Sequence, residues 1–496
     1  MAVNDNDLKS GSQPLFRQVY EHMAARIDRG EWREHDRLPS VRLLAEELQV
    51  HRLTVFKAYG ALKEEGRVYV RDKSGYYVAP VLRREHGGAS GGGQREHWGT
   101  AGGDGGQRGA ASSPEAALTG SRIRNPLSDI QRRPVKYQFS QALIDPNLLP
   151  NLYLSDYVKE VFDRYPKVMG TYSGAQGDEE LRTFLSGHFR FSRLLQAEPD
   201  EVLITSGAQQ AINLIATILL GPMDCVLVER PTYGVALDIF RHRGARLLPV
   251  DINPGGYDLE RLEGLMDKYR PRLFYMNPTH HNPTGYTVPV WQRKRLAELA
   301  ERYRCLIVED DPFRDMYFHS EPPPPVFAYD TEGWVIYLGS FSKYIAPGLR
   351  ICAVICRYPF MEQMITAKSI ADNGTPLLNQ KIFLHYFTSP RLQGHLAKLR
   401  IALQVHKEIA EQELAPTGWR WTAPRGGLNL WVKLPEQFPA GGLFQRCLEQ
   451  SIAFVPGTIC DPGREMHSWI RLSYSFTPED ILREGMRKLV GIAQSQ

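Results

Sequence analysis

Between Gly87 and Gly109 close to half of the residues are glycine, with runs at Gly91-Gly92-Gly93 and Gly102-Gly103-Asp104-Gly105-Gly106, and Ser112-Ser113-Pro114 follows. No other stretch restricts the fold of this chain more. A segment so poor in apolar side chains cannot bury enough surface to offset the entropy of ordering it. A structured glycine-rich phosphate loop would need a strand before it and an apolar helix after it, and neither pattern flanks this one. The stretch is therefore expected to act as a flexible linker over residues 81–135, dividing the 496 residues into units that do not share a core. A coil of about 50 residues has a root-mean-square span of about 40 Å, so the units are expected to move independently.

Composition bounds the function classes. At 42% hydrophobic and 23% charged residues the chain reads as an ordinary soluble protein, and a net charge of +4 excludes a globally basic nucleic-acid coat while leaving room for a local basic patch. The cysteines Cys225, Cys305, Cys352, Cys356, Cys447 and Cys460 form no C-x-x-C pair and read as reduced core thiols of a reducing compartment. The N-terminus carries no apolar signal region. The longest apolar stretch, Ala211–Leu220, is broken by Asn213 and Thr217, short of the roughly 18–20 residues that span a bilayer. A cytoplasmic protein without a membrane partner is expected.

Residues 12–80 read as three helices and a hairpin. Leu15, Val19, Met23 and Ile27 recur at helical spacing until Gly30. Ser40 is placed to N-cap a second helix whose inner face carries Val41, Leu44, Ala45 and Leu48. A third helix is expected over His51–Glu65, closed by Gly66, and Val68-Tyr69-Val70 and Tyr76-Tyr77-Val78 flank the polar turn Asp72-Lys73-Ser74-Gly75. This order is the winged helix-turn-helix pattern, whose third helix enters the major groove of DNA. His51, Arg52, Thr54 and Lys57 fall near the start of that helix and Arg42 on the second. Arg71 and Lys73 fall at the hairpin tip, where phosphate contacts are expected. Charge nearly balances in this segment, so a protein-binding module with a solvated polar face is the alternative.

The run Arg37-Leu38-Pro39-Ser40-Val41-Arg42-Leu43-Leu44-Ala45-Glu46-Glu47-Leu48, then Thr54-Val55, Ala58-Tyr59, Leu62 and Glu65-Gly66, resembles the GntR family of bacterial repressors across the whole segment. The chain departs from that family at His51-Arg52, where Ser-Arg is usual.

Residues 136–496 alternate apolar strand-like runs with amphipathic helices. The runs include Val226–Glu229, Leu273–Met276, Leu306–Glu309, Val335–Leu338 and Ile351–Ile355. The pattern predicts an α/β fold with a mostly parallel buried sheet, whose ligands bind beyond the strand C-termini. The polar motifs fall there. Ser340-Phe341-Ser342-Lys343, with Arg350 a short loop on, suits an amine that forms a Schiff base while hydroxyls and a guanidinium hold a phosphate. Gly207, Ala208 and Gln209 open a helix after the strand Val202–Ile204, where small residues either let backbone amides approach a phosphate or form an ordinary glycine-bearing strand-helix turn. Tyr233 follows another strand and can stack on a flat ring or simply pack. Asn282, in Asn282-Pro283-Thr284-Gly285, is a turn residue whose amide can reach a ring hydroxyl. Asp310 ends the run Leu306–Glu309; it either faces a pyridine nitrogen or belongs to an exposed acidic loop with Glu309 and Asp311. Arg471, alone among apolar residues in Trp469–Ser475, needs an anion, either an incoming carboxylate or a structural partner.

In this order the motifs resemble the fold type I aminotransferases of class I/II over roughly 350 residues, implying a large domain at about 175–380 and a small one from the N-terminal arm and about 381–496. The resemblance implies pyridoxal 5'-phosphate as cofactor, bound as an aldimine on Lys343. Asp310 would lie on the ring nitrogen, Asn282 on the ring hydroxyl and Tyr233 against the ring. Ser340, Ser342, Arg350 and Gly207–Gln209 would hold the phosphate, and Arg471 a ligand carboxylate. Tyr172, in Gly170-Thr171-Tyr172-Ser173-Gly174, resembles the tyrosine that reaches a neighbouring subunit's phosphate. Those enzymes usually carry a tyrosine three residues after the aspartate; here it is Phe313, without a hydroxyl.

Head, linker and body together resemble the MocR type of bacterial transcriptional regulator. That resemblance implies promoter DNA and a small amino-compound effector as partners, a head-to-tail homodimer, and association with the nucleoid when DNA is bound. The effector would exchange the imine on Lys343 and change DNA binding. A catalytic aminotransferase with an accessory DNA-binding head is the second expectation, and a sensor of the cofactor itself the third.

Overall fold

The computed structural model describes residues 14–71, 75–79, 125–436 and 439–495, in two compact units, the first ending at Arg124 and the second beginning at Asn125. The unit boundary corrects the expected end of the linker. Asn125 caps a helix over Pro126–Gln131, its side chain accepting from the amide of Ser128 at 3.0 Å, and Leu127 and Ile130 of that helix are buried. Lys73 lies outside the described residues, as do residues 80–124.

In the first unit α1 (Leu15–Asp28), α2 (Val41–Glu47) and α3 (Arg52–Glu64) enclose one small core that includes Val19, Met23, Leu44, Val55, Tyr59 and Leu62. Ser40 Oγ accepts from the amide of Leu43 at 3.2 Å and so caps α2. His51 caps α3: its Nδ1 accepts from the amide of Leu53 at 3.2 Å, so imidazole does the work of the usual serine. The strands Val68–Arg71 and Gly75–Val78 pair antiparallel, Val68 opposite Val78.

In the second unit a seven-stranded sheet runs in the order Val202–Thr205, Cys352–Ile355, Val335–Ser340, Leu306–Asp311, Leu273–Met276, Cys225–Arg230, Arg246–Asp251. All neighbours are parallel except Cys352–Ile355, which is antiparallel to both of its partners. The inner strands are buried on both faces, as near-continuous apolar runs require, while the edge strand Arg246–Asp251 buries alternate residues only. A second core surrounds a four-stranded sheet ordered Arg420–Trp421, Asn429–Lys433, Trp469–Ser473, Val455–Pro456. Tyr137–Gln138 pairs separately with Ile452–Ala453. Ile382 to Leu403 pack in the core of the large sheet, and the second core begins at Ile409, so the change of core falls inside the helix Arg391–Leu414 rather than at 381. Among the described residues no helix is long and apolar enough to cross a membrane. All six cysteines are free, five of them buried.

Candidate functional site

The strand Val335–Ser340 delivers Lys343 to the C-terminal edge of the large sheet. Phe341, two residues before the lysine, and Tyr344, directly after it, are both anchored. Phe341 lies 5.1 Å from Phe383 and from Phe387, and the Tyr344 hydroxyl donates to Asp315 Oδ2 at 2.5 Å, a carboxylate that Arg193 also pairs at 2.8 Å. Burial, with the positive charges of Arg350 and Arg471, pushes the Lys343 amine down to about 8, against the pull of Asp310. At pH 7 about one such amine in ten is neutral and nucleophilic.

Asp310 lies within the strand Leu306–Asp311, in register with Leu338, not beyond the strand end. It is 4% exposed, and Glu309 and Asp311 beside it are buried too, so there is no acidic surface loop. The Tyr275 hydroxyl donates to Asp310 Oδ2 at 2.7 Å and Asn277 Nδ2 to its main-chain carbonyl, while Oδ1 has no partner among the described residues. Burial pushes the carboxyl up to about 7, opposed by the Tyr275 hydrogen bond and reinforced by Asp311. A cationic ring N–H against Oδ1 would satisfy the orphaned oxygen and restore its charge.

The helix Ala208–Leu219 starts directly after Gly207, which sits at φ 95°. A Cβ on Gly207 would collide with the guanidinium of Arg350, whose Nη2 donates to the Ser206 carbonyl at 3.2 Å. Glycine here lets an arginine close over a helix N-terminus, which together favour an anion. Ser340 and Ser342 are each 5% exposed, and Ser342 Oγ donates to the Ile351 carbonyl at 3.3 Å. Gln209 Nε2 donates to the Tyr233 hydroxyl at 2.7 Å, tying the anion side to the aromatic expected against the ring.

Arg471 is 1% exposed, and among the described residues no carboxylate pairs with it. Its Nη1 donates to Asn282 Oδ1 at 3.1 Å, its Nη2 to the Ser140 carbonyl, and its Nε is buried without a partner. A buried guanidinium so placed is short of an anion. Asn282 Oδ1 is thus taken by the arginine, and its amide group remains as the donor. Asn429, 3% exposed, approaches the same oxygen at 3.5 Å.

The structure thus gathers Lys343, Asp310, Asn282, Tyr233, Gly207–Gln209, Ser340, Ser342, Arg350 and Arg471 around one edge of the sheet. Tyr172 is 85% exposed and Phe313 is 1% exposed. Sequence reasoning missed Tyr275, Asn277, Asn429 and the pair His281–Glu229. The two groups are fully buried and 3.1 Å apart without a hydrogen bond between them, and Glu229 accepts from the Asn277 main-chain amide at 2.7 Å and from the Tyr257 hydroxyl at 2.6 Å. Asn277 was findable, as a polar residue just past a strand C-terminus; Tyr275 reads as core in its apolar strand.

On the first unit His51 is exposed and Arg52, Thr54 and Lys57 are partly exposed along the start of α3. Arg42 keeps 57% of its side chain in solvent and sits 3.8 Å from Glu46. Arg71 ends the first hairpin strand.

The sequence pattern of the family "Aminotransferase class I and II" matches residues 155–489, and that of "Bacterial regulatory proteins, gntR family" matches residues 15–78. The 2-aminoadipate transaminase of Thermus thermophilus is 34% identical over 75% of this chain and 93% of its own length. The uncharacterized HTH-type transcriptional regulator YisV of Bacillus subtilis is 30% identical over 96% of this chain and 95% of its own. A solved structure of LysN, the α-aminoadipate aminotransferase of Thermus thermophilus, in complex with N-(5'-phosphopyridoxyl)-L-leucine, matches with a TM-score of 0.68 and 31% identity over 75% of this chain and 97% of that one.

Proposed function

The chain belongs to the class I and II aminotransferase family and, through its GntR-type head, to the MocR type, and from this premise we propose a ligand-responsive regulator of transcription. Its cofactor is pyridoxal 5'-phosphate. When bound, that group supplies an aldehyde that condenses with primary amines. Lys343 would be the residue that attaches it, its lowered pKa leaving more of the amine neutral and able to react. Asp310, oriented by the Tyr275 hydroxyl, would hold the ring nitrogen through Oδ1, which has no partner among the described residues. Asn282 would serve the ring hydroxyl and Tyr233 the ring face. Gly207, Ala208, Gln209, Ser340, Ser342 and Arg350 hold the phosphate, with Tyr172 reaching the site of a second copy in a head-to-tail dimer. Arg471 takes the carboxylate of an amino-compound effector. In the head Arg42, His51, Arg52, Thr54, Lys57, Arg71 and Lys73 face promoter DNA, in a cytoplasmic protein.

The observation that carries this reading is the coexistence of a capped recognition helix and a buried, anion-short Arg471 in one chain that aligns end to end with a regulator. An effector must bind two body states unequally to alter DNA binding. Gel-shift with promoter DNA at moderate salt, with and without amines that move the protein's visible absorbance, tests it. Absence of any shift ends the regulator reading. The second reading, a working aminotransferase, is favoured by the likeness to the Thermus transaminase and by the presence of Lys343, Asp310 and Arg471 together. Conversion of the bound cofactor to its amine form at an enzyme-like rate supports it. The missing hydroxyl at Phe313 weighs against it.

A further inference from the structure

The helix Pro126–Gln131 is the first described element after the glycine-rich stretch, so it stands where the chain from the head enters the body. Leu127, 1% exposed, packs in a cluster with Val235, Trp431, Val455 and Cys460. Val235 lies on the helix that follows Tyr233, and Trp431 and Val455 are the strand neighbours in register with Arg471 on its two sides. At the other end of the helix Gln131 Nε2 donates to the Ser140 carbonyl at 3.2 Å, and that same oxygen accepts from Arg471 Nη2. Gln141 Nε2 returns a bond to the Gln131 carbonyl at 3.1 Å. One carbonyl oxygen thus carries both the arginine of the ligand site and the last residue of the helix.

A carboxylate outcompetes a peptide carbonyl for a guanidinium, because both partners are then charged. Arg471 enters that contest with its Nε unpartnered. A ligand carboxylate that draws the guanidinium from Ser140 alters the acceptor on which Gln131 rests, and Arg471 lies in the strand whose register neighbours Trp431 and Val455 pack in the cluster that holds Leu127. We propose that the helix Pro126–Gln131 is the coupling element of the protein, sensing the state of Arg471 through the Ser140 carbonyl and the Leu127 cluster and passing it to the chain that leads to the head. The output rests on the regulator reading; the coupling itself belongs to the body alone.

The test uses the full-length chain loaded with pyridoxal phosphate and needs no identified effector. Hydrogen exchange of the amides 128–132 is compared in the unsubstituted chain, Gln131→Leu, Arg471→Gln, Arg471→Lys and the double variant Gln131→Leu/Arg471→Gln, with the helix Ala208–Leu219 as reference. Arg471→Gln is expected to speed exchange at 128–132 by about five-fold or more, the range of ordinary coupling, with the reference unchanged. The double variant is expected to go no further than the larger single one, since both act on one oxygen. Arg471→Lys, which keeps a charged donor on a longer side chain than glutamine and so can reach toward Ser140, is expected to restore part of the protection. Unchanged exchange in Arg471→Gln, additive effects in the double variant, or loss that extends to the reference helix overturns the proposal. A second arm measures affinity for a DNA site selected with the unsubstituted chain, where Leu127→Ser is expected to shift binding by about five-fold or more. An unmoved affinity removes the output from the proposal. If the unsubstituted chain selects no DNA, the regulator reading fails, and the exchange arm still decides the coupling.

Discussion

In the head His51, exposed, and Arg42, 57% in solvent, with the partly exposed Arg52, Thr54 and Lys57, stand at the rim of a single small core that holds Val55, Ala58, Tyr59 and Leu62 of the helix α3. In the body the charged and amide groups expected to meet the ring and the carboxylate are desolvated: Asp310, Asn282 and Arg471 are buried with Ser340 and Ser342. Lys343 and Tyr233 are half-buried, and Arg350, Gln209 and Tyr172 reach solvent. Asp310 and Arg471 carry polar atoms without partners among the described residues. A head that binds DNA as proposed can present solvated charges, because phosphates and base edges would come to its surface. The body must hold unpaired charge in a poorly solvated place, because only there does a bound ring or carboxylate gain more than water would give it. Loss of a head side chain should therefore be graded and local, and loss of a body side chain should strand its partners.

The sharpest break would come from Lys343→Ala. The purified variant is expected to lose the visible absorbance band and to shed the cofactor on gel filtration, with hydrogen-exchange protection of α3 unchanged. Altered protection of α3 would mean that the two regions are not energetically separate. Next, Arg471→Leu is expected to weaken carboxylate-bearing amines by roughly 100-fold, the usual cost of removing a buried charged partner. Spectral titration checks this, with a simple alkylamine as the control that stays within about three-fold. Equal weakening of both would make the arginine structural. In the head Leu62→Ala, at a position 0% exposed, is expected to cost about 3 kcal/mol. That loss is read as faster exchange in α3 while the unfolding midpoint of the body holds.

Smaller effects sharpen the contrast. The Lys343 amine is lowered from 10.5 to about 8 in the folded state, so between those pH values the unfolded chain binds more protons. Its contribution to stability is present above about 10.5 and is lost as pH falls through 8. In cofactor-free protein Lys343→Met is thus expected to stabilise the body by ~1–3 kcal/mol at pH 7, the gain fading toward pH ~10.5, by denaturant titration at several pH values. The smallest effect is at the cap of α3: His51→Ala is expected to cost about 1 kcal/mol and His51→Ser only a few tenths, by exchange at the first turn.

Legibility differed along the same divide. The head could be read almost entirely, because helical spacing, the Ser40 cap and the hairpin turn are short-range signals. The surprise at His51 was of identity only, since imidazole Nδ1 reaches the same amide that a serine would. In the body Lys343, Asp310, Asn282 and Arg471 were legible as polar residues interrupting apolar strands or following them. Tyr275 was hidden, as a strand tyrosine looks like core until a carboxylate is placed beside it. Pro126–Gln131 was read as linker because six residues with two apolar anchors carry no periodicity; it is Val235, Trp431 and Val455, each more than a hundred positions away, that make it a helix worth keeping.

The sequence by itself determined that this chain is two units, that the first has the three helices and hairpin of a winged helix-turn-helix, and that the second offers a lysine, a carboxylate, an anion cradle and an arginine at or near strand ends. Those features follow from local composition, caps and periodicity, which act over a few residues. Only the tertiary structure decided which of these groups lack partners, how far burial moves Lys343 and Asp310, and that the Ser140 carbonyl joins Gln131 to Arg471. Desolvation and shared hydrogen bonds are made by segments as far apart as the 331 positions between Ser140 and Arg471, and no local pattern encodes where such segments will meet.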